Sequence, residues 1–365
     1  MLAVARHCAP SEAMKIAISS TNPCHLFELA RELHAAGWLA RYYSGYPRWR
    51  LEVPDGFPIS VRCWRTVLTY GLLRLPERLR PAARDLFLWQ DGGFDRAVSG
   101  VLDGAAEALH AMPGQCLETF RAARRLGVPT VLNHATAPVR QWLQIMRPEY
   151  ARRGLDVAAV TPYDEAWIAR SDAERALADY HCAASNVVRD QLVADGVPPA
   201  RIMVVPYGAD RRVFHPRGAH RGRALRIVFA GQFGIRKGVA TLLDALALAA
   251  RPHWSLEIFG QRLPEADSLV AGYAGPTPLR FHGAVGRARL ADEFRAGSVL
   301  VLPSLEEAFG LVVPQALACG LPCIVSDAVG ASDLISHRVN GSVVPARDAA
   351  ALAAELAWWE NHGQI

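Results

Sequence analysis

Two adjacent carboxylates, Glu306 and Glu307, stand in Pro303-Ser304-Leu305-Glu306-Glu307-Ala308-Phe309-Gly310-Leu311-Val312-Val313-Pro314-Gln315, directly after an apolar run. Two cations, Arg236 and Lys237, occupy an equivalent place in Gly234-Ile235-Arg236-Lys237-Gly238. Carboxylates accept hydrogen bonds from hydroxyls, whereas an arginine fork and a compact lysine charge hold phosphate oxygens. Together they suit a ligand bearing both hydroxyls and phosphate, and a nucleotide sugar is such a molecule.

The flanking pattern says what positions these groups. Ser298 to Leu302 reads as a buried strand, Gly310 opens a helix, Gly320-Leu321-Pro322 stops it, and Cys323 to Ser326 is again a buried strand. Around them, 225–231, 255–260, 279–282 and 342–344 read as strands, with helices over 238–250, 287–296, near 332–336 and from Asp348 onward. Strands alternating with helices imply right-handed βαβ units and a mostly parallel, doubly wound sheet. In such a sheet, ligands sit beyond the carboxyl ends of the strands, where helix N-termini favour anions.

The N-terminal half repeats this rhythm less cleanly. Strands are expected at 15–19, 130–133 and 201–206, and helices at 26–36, 116–126, 173–181 and 187–194, with Asn22 a candidate cap for the first helix. Residues 48–112 are arginine-rich and irregular in pattern. The polar, Pro- and Gly-bearing stretch 214–223 reads as a linker, giving an N-terminal domain over 14–216 and a C-terminal domain over 223–365. Residues 1–13 read as an extension, since Met14-Lys15-Ile16-Ala17-Ile18 starts a strand as if the chain began there.

At 365 residues and 51% hydrophobic, the chain can bury two cores of roughly 150 to 200 residues each. No run of eighteen apolar residues suggests a spanning helix, and 1–13 lacks the apolar centre of a signal peptide. Seven dispersed cysteines without a CxxC pair fit a reducing cytosol rather than a disulfide framework or zinc site, and Cys319 and Cys323 read as packing. A net charge of +5 does not point to nucleic acid. Its distribution is uneven: Arg62, Arg65, Arg74, Arg78, Arg80 and Arg84 crowd 62–84 against Glu77, interleaved with Trp64, Tyr70 and leucines. Two readings stay open there, peripheral docking on an anionic membrane or a solvated helix face with snorkelling arginines.

Four segments in order resemble the retaining GT-B glycosyltransferases of family four. These are Val205-Pro206-Tyr207-Gly208-Ala209-Asp210 with Phe214 and Pro216, the loop Gly231 to Gly238, the paired-glutamate segment from Pro303, and Asp327 to Ile335 with Asn340-Gly341. The resemblance implies two Rossmann-like domains facing a cleft. It also implies metal-independent transfer of a sugar from a nucleotide-sugar donor to a glycan or glycolipid acceptor at a cytoplasmic membrane face, with no cofactor beyond the donor.

Residue by residue, the resemblance places Glu307 and His134 at the reacting sugar as catalytic groups. It places Arg236, Lys237 and Gly234 on the phosphates, the backbone of Phe309, Gly310 and Leu311 at the sugar or phosphate, and Gln315 on the ribose. Glu306 reads as a solvated neighbour, and His110 as packing. Three departures stand out. Gln232 lies where the family carries arginine, a charge Arg236 could take over; Gln315 replaces the second glutamate; and Ser20-Thr21-Asn22-Pro23-Cys24-His25 replaces a glycine-rich loop. The family's closing helix crosses back onto the N-terminal domain, and here Trp358-Trp359 could pack on that domain or on a partner. These departures leave open an alternative, a catalytically inactive GT-B protein that binds a nucleotide sugar or serves in an assembly. A GT-B epimerase or Rossmann dehydrogenase fits less well, since no G-x-G-x-x-G follows the first strand.

Overall fold

Two parallel sheets organise the chain in a computed structural model that describes residues 14–161, 164–218 and 224–362. The expected extension 1–13 and the second half of the expected linker lie outside those residues. One compact unit takes the chain up to His134, Thr161–Cys182 and Ala200–Met203; the other takes Ala135–Val160, Ala183–Pro199 and everything from Val204 on.

In the first unit the strands are β1 (Ile16–Ser20), β2 (Leu39–Ser44), β3 (Ile59–Val61), β4 (Ala108–Ala111), β5 (Thr130–His134), β6 (Tyr180–Ala183) and β7 (Ile202–Val204). Their order is β3-β2-β1-β4-β5-β6-β7, so the winding reverses between β1 and β4. The irregular stretch 48–112 is ordered, with helices over Trp64–Leu72 and Ala83–Ser99 ahead of β4. The helix expected over 173–181 instead covers Glu165–Leu177, and Tyr180–Ala183 is a strand. Asn22 does not cap the first helix, whose N-cap is Cys24; it accepts from the Tyr70 hydroxyl at 3.4 Å.

The second unit holds β8 (Arg226–Ala230), β9 (Ser255–Phe259), β10 (Leu279–Gly283), β11 (Val299–Leu302), β12 (Cys323–Ser326) and β13 (Gly341–Val344), ordered β10-β9-β8-β11-β12-β13 and parallel throughout. Apolar runs such as Val299-Leu300-Val301-Leu302 are buried on both faces, as a sheet covered by helices on each side requires. Alternate residues serve alternate cores. Ile227, Phe229, Val299 and Val301 pack under the helix Val239–Ala249, while Val228, Ala230, Leu300 and Leu302 pack under the helix Val312–Ala318.

Phe214, at the start of the expected linker, is buried against Phe294 in the second core. Cys319 and Cys323 pack in the same core. Trp359 does not reach outward: it is buried in this unit's first core and donates from Nε1 to Ser342 Oγ at 3.0 Å.

Candidate functional site

The winding of the second sheet reverses between β8 and β11, and the loops leaving these two strands carry the cations and the carboxylates. Neighbouring strands whose crossovers leave in opposite directions open a crevice at their carboxyl ends. Sequence places Arg236 and Lys237 on one lip and Glu306 and Glu307 on the other.

The cation loop is tightly built. Ile235–Lys237 form one 3₁₀ turn, and Gly238 turns the chain into the helix Val239–Ala249 at φ +70°. A Cβ at Gly238 would lie 1.8 Å from the Pro303 carbonyl oxygen, so only glycine lets the two loops approach this closely. Leu305 N–H donates to the Arg236 carbonyl at 2.8 Å, tying one loop to the other. Underneath, Glu265 Oε1 accepts from Ile235 N–H at 2.9 Å, and the Tyr150 hydroxyl donates to both Glu265 oxygens at 3.2 and 3.3 Å. Burial, with Glu265 beside it, pushes the Tyr150 hydroxyl well up, which keeps it a donor. Gly234 is extended, with its Cα facing Glu265 and Leu263.

The carboxylate loop is fixed from its other side. Glu307 N–H donates to Ala328 O at 3.1 Å, Gly330 N–H to Glu307 O at 2.9 Å, and Ala331 N–H to Phe309 O at 2.7 Å. Ser185, which caps the helix Asn186–Ala194, donates from Oγ to Ala308 O at 2.7 Å. Gly310 adopts φ +88°, a conformation strained for any L side chain, and the helix Val312–Ala318 begins two residues later. Phe309 is buried, with Tyr207 edge-on at 5.2 Å; Leu311 is exposed, and Gln315 is half-buried on the helix.

Four charges meet between the loops. Lys237 Nζ donates to Glu307 Oε2, and Arg236 Nη1 lies 3.1 Å from Glu306 O, 3.3 Å from Glu306 Oε2 and 3.5 Å from Glu307 Oε2. The expectation that Glu306 is solvated is overturned: it is only 4% exposed, with the Arg236 guanidinium of the other loop against its carboxylate. Burial raises the Glu306 carboxyl above its usual range, opposed by Arg236. Burial also lowers the Lys237 ammonium, opposed by Glu307. Each cation therefore needs its carboxylate, and an incoming diphosphate would offer the same cations an alternative anion.

His134 ends β5 in the first unit, buried, with Nε2 3.0 Å from His181 Nδ1. Burial, then His181, drives it far below the ordinary histidine range, so it is neutral. The reversal of this unit's sheet has its own polar cluster. Gln115 Oε1 accepts from Thr21 N–H at 2.5 Å and Oγ1 at 2.7 Å, while Asn133 joins His25 at 2.8 Å to His110 at 3.1 Å. Burial moves Asp91 up to about 6 and His110 down to about 4. Sequence reasoning missed Glu265, Tyr150, Ser185 and His181, all of which act through contacts distant in sequence.

Residues 224–361 match the family described as glycosyl transferases group 1. This segment is similar to the group 1 glycosyl transferases. It contains Arg236, Lys237, Glu306 and Glu307. The chain is 31% identical over 297 residues to a D-inositol 3-phosphate glycosyltransferase of Streptomyces griseus, an alignment spanning 72% of this chain and 61% of that protein. A protein of the same name from Paenarthrobacter aurescens is 34% identical over 172 residues, 42% of each chain. The chain thus spans about two fifths to three fifths of the length of these curated relatives. Among solved structures, sucrose-phosphate synthase from Thermosynechococcus elongatus superposes with a TM-score of 0.68 at 20% identity, covering 96% of this chain and 92% of that one. Anabaena HepE in complex with UDP-glucose gives 0.65 at 16% identity, covering 96% and 93%. The chain has the GT-B fold, two parallel-sheet α/β domains.

Proposed function

We propose that this protein moves a hexosyl group from a nucleotide-sugar donor to a glycan or lipid-linked acceptor, with retention and without a metal. The carrying observation is that Arg236, Lys237 and Glu307 converge at the sheet reversal of the second unit. The Streptomyces griseus relative is a glycosyltransferase by name, and HepE forms a complex with UDP-glucose; both support a sugar-nucleotide donor.

In this reading the diphosphate gains charge as the glycosidic bond breaks. Lys237 and Arg236 supply fixed positive charge there, and preorganised donors of that kind typically lower a barrier by a few kcal/mol. Lys237 exchanges Glu307 for a phosphate oxygen, which frees Glu307 to accept from the sugar hydroxyls. The backbone at Phe309, Gly310 and Leu311 lies along the sugar and phosphate, and the Gln315 amide holds the ribose hydroxyls. His134, neutral at its strand end, accepts or donates at the reacting sugar. The acceptor attacks on the face the leaving group vacates, and the departing phosphate takes its proton.

Gln315 favours one rival, a protein that binds the donor without turning it over. Product analysis separates the two. With a turned-over donor, proton NMR of the new linkage should show the donor's anomeric configuration; inversion would defeat retention, and binding without release of nucleotide diphosphate would favour the rival.

A further inference from the structure

The helix Trp64–Leu72 is inside out for a protein bathed only in water. Its buried residues are Thr66 and Thr69, whereas Trp64, Val67 and Leu68, at i, i+3 and i+4, form an exposed stripe at 58%, 47% and 45%. Helices on soluble domains turn the apolar stripe inward. The exposed apolar surface continues over Tyr70, Leu75, Leu79 and Trp89. Exposed apolar residues gathered in this way on one helix and the segment after it mark a surface that meets something apolar.

Two further features define that something. Trp64 and Trp89 meet edge-on at 5.4 Å, and the Arg65 guanidinium lies 4.3 and 5.1 Å from their rings, so the indoles form a stiff pair. In the segment that follows, Arg74, Arg78, Arg80 and Arg84 are exposed, and Asp85 is paired to Arg84 at 3.2 Å. Indoles and phenols suit the headgroup level of a bilayer, and arginines beside them suit anionic lipid. A second copy presenting this face would set arginines against arginines.

We infer that the helix Trp64–Leu72 and the arginine-rich segment following it dock this protein on the surface of a bilayer that contains anionic lipid. The apolar stripe enters the interface, and the arginines neutralise headgroups. Docking needs no catalysis, so it stands or falls separately from the transferase reading. Among the described residues no helix is long and apolar enough to cross a membrane.

Co-sedimentation of the full chain with vesicles tests it, using phosphatidylcholine alone and phosphatidylcholine with phosphatidylglycerol. The expected result is binding to the anionic vesicles, released by salt. Neutralising Arg78 or Arg80 should weaken it about fivefold each, and Leu68→Glu should abolish it with unchanged circular dichroism and donor hydrolysis. Absence of vesicle binding, or binding indifferent to anionic lipid and to these variants, would overturn the proposal. So would a dimer in solution that Leu68→Glu converts to monomer while vesicles leave the wild type in the supernatant.

Discussion

Lys237 donates to Glu307 from a loop seventy residues away, across the reversal between β8 and β11, and both side chains are largely withdrawn from water. The pair spans the crevice of the second unit. Its partners cannot be removed singly without consequence, because the survivor stays in a desolvated place. Glu307→Ala leaves Lys237 beside Arg236 with its nearest carboxylate gone, so the variant should fold but lose about 2 kcal/mol of stability. Urea unfolding checks this.

Glu306 carries a pH signature. Its carboxyl is raised in the native state by burial, so the folded protein binds that proton more readily than the unfolded chain does. That contribution is full below the unfolded carboxyl range and is lost as pH rises through the native value. Glu306→Gln should therefore gain stability relative to wild type on going from acid to neutral pH. Paired thermal melts across that range measure it, and a constant difference would contradict the assignment.

In the first unit, Glu174 accepts from Gly114 N–H at 2.5 Å, Cys116 N–H at 3.0 Å and Leu117 N–H at 3.1 Å, beside Arg170 at 3.3 Å. This carboxylate fixes the turn between β4 and the helix Leu117–Leu126. Glu174→Gln would turn an amide NH₂ toward a backbone N–H, and should cost about 2–3 kcal/mol. Chemical denaturation reads that loss directly.

Gln315 sits where the resemblance expects glutamate. A hydrogen bond to a charged acceptor exceeds a neutral one by about 1 kcal/mol, so Gln315→Glu should lower the donor KM about fivefold with little change in kcat. A fall in kcat instead would place this side chain nearer the reacting bond than the ribose.

Much of this was legible in the chain. The second sheet shows itself because strands buried on both faces read as unbroken apolar runs, and the glycines after β8 and β11 mark where its loops turn. The first sheet was less readable: Gly92-Gly93 interrupt the apolar period of the helix Ala83–Ser99, and four-residue strands such as Tyr180–Ala183 are too short to show a period. The burial of Glu306 was not legible, because it depends on Arg236 arriving from another loop. The supports at Glu265, Tyr150 and Ser185 carry no local pattern; a single residue bonding a group distant in sequence leaves no spacing to detect.

The central claim is that Lys237 and Glu307 form the donor half of a sugar-transfer site. Release of nucleotide diphosphate across a panel of nucleotide sugars, for wild type and for folded Lys237→Ala, tests it most directly. At least one donor should be turned over by the wild type and at least a hundredfold more slowly by the variant, since one such electrostatic group supplies about 3 kcal/mol at a developing charge. Equal rates for the two proteins, or no turnover of any donor, would contradict the account.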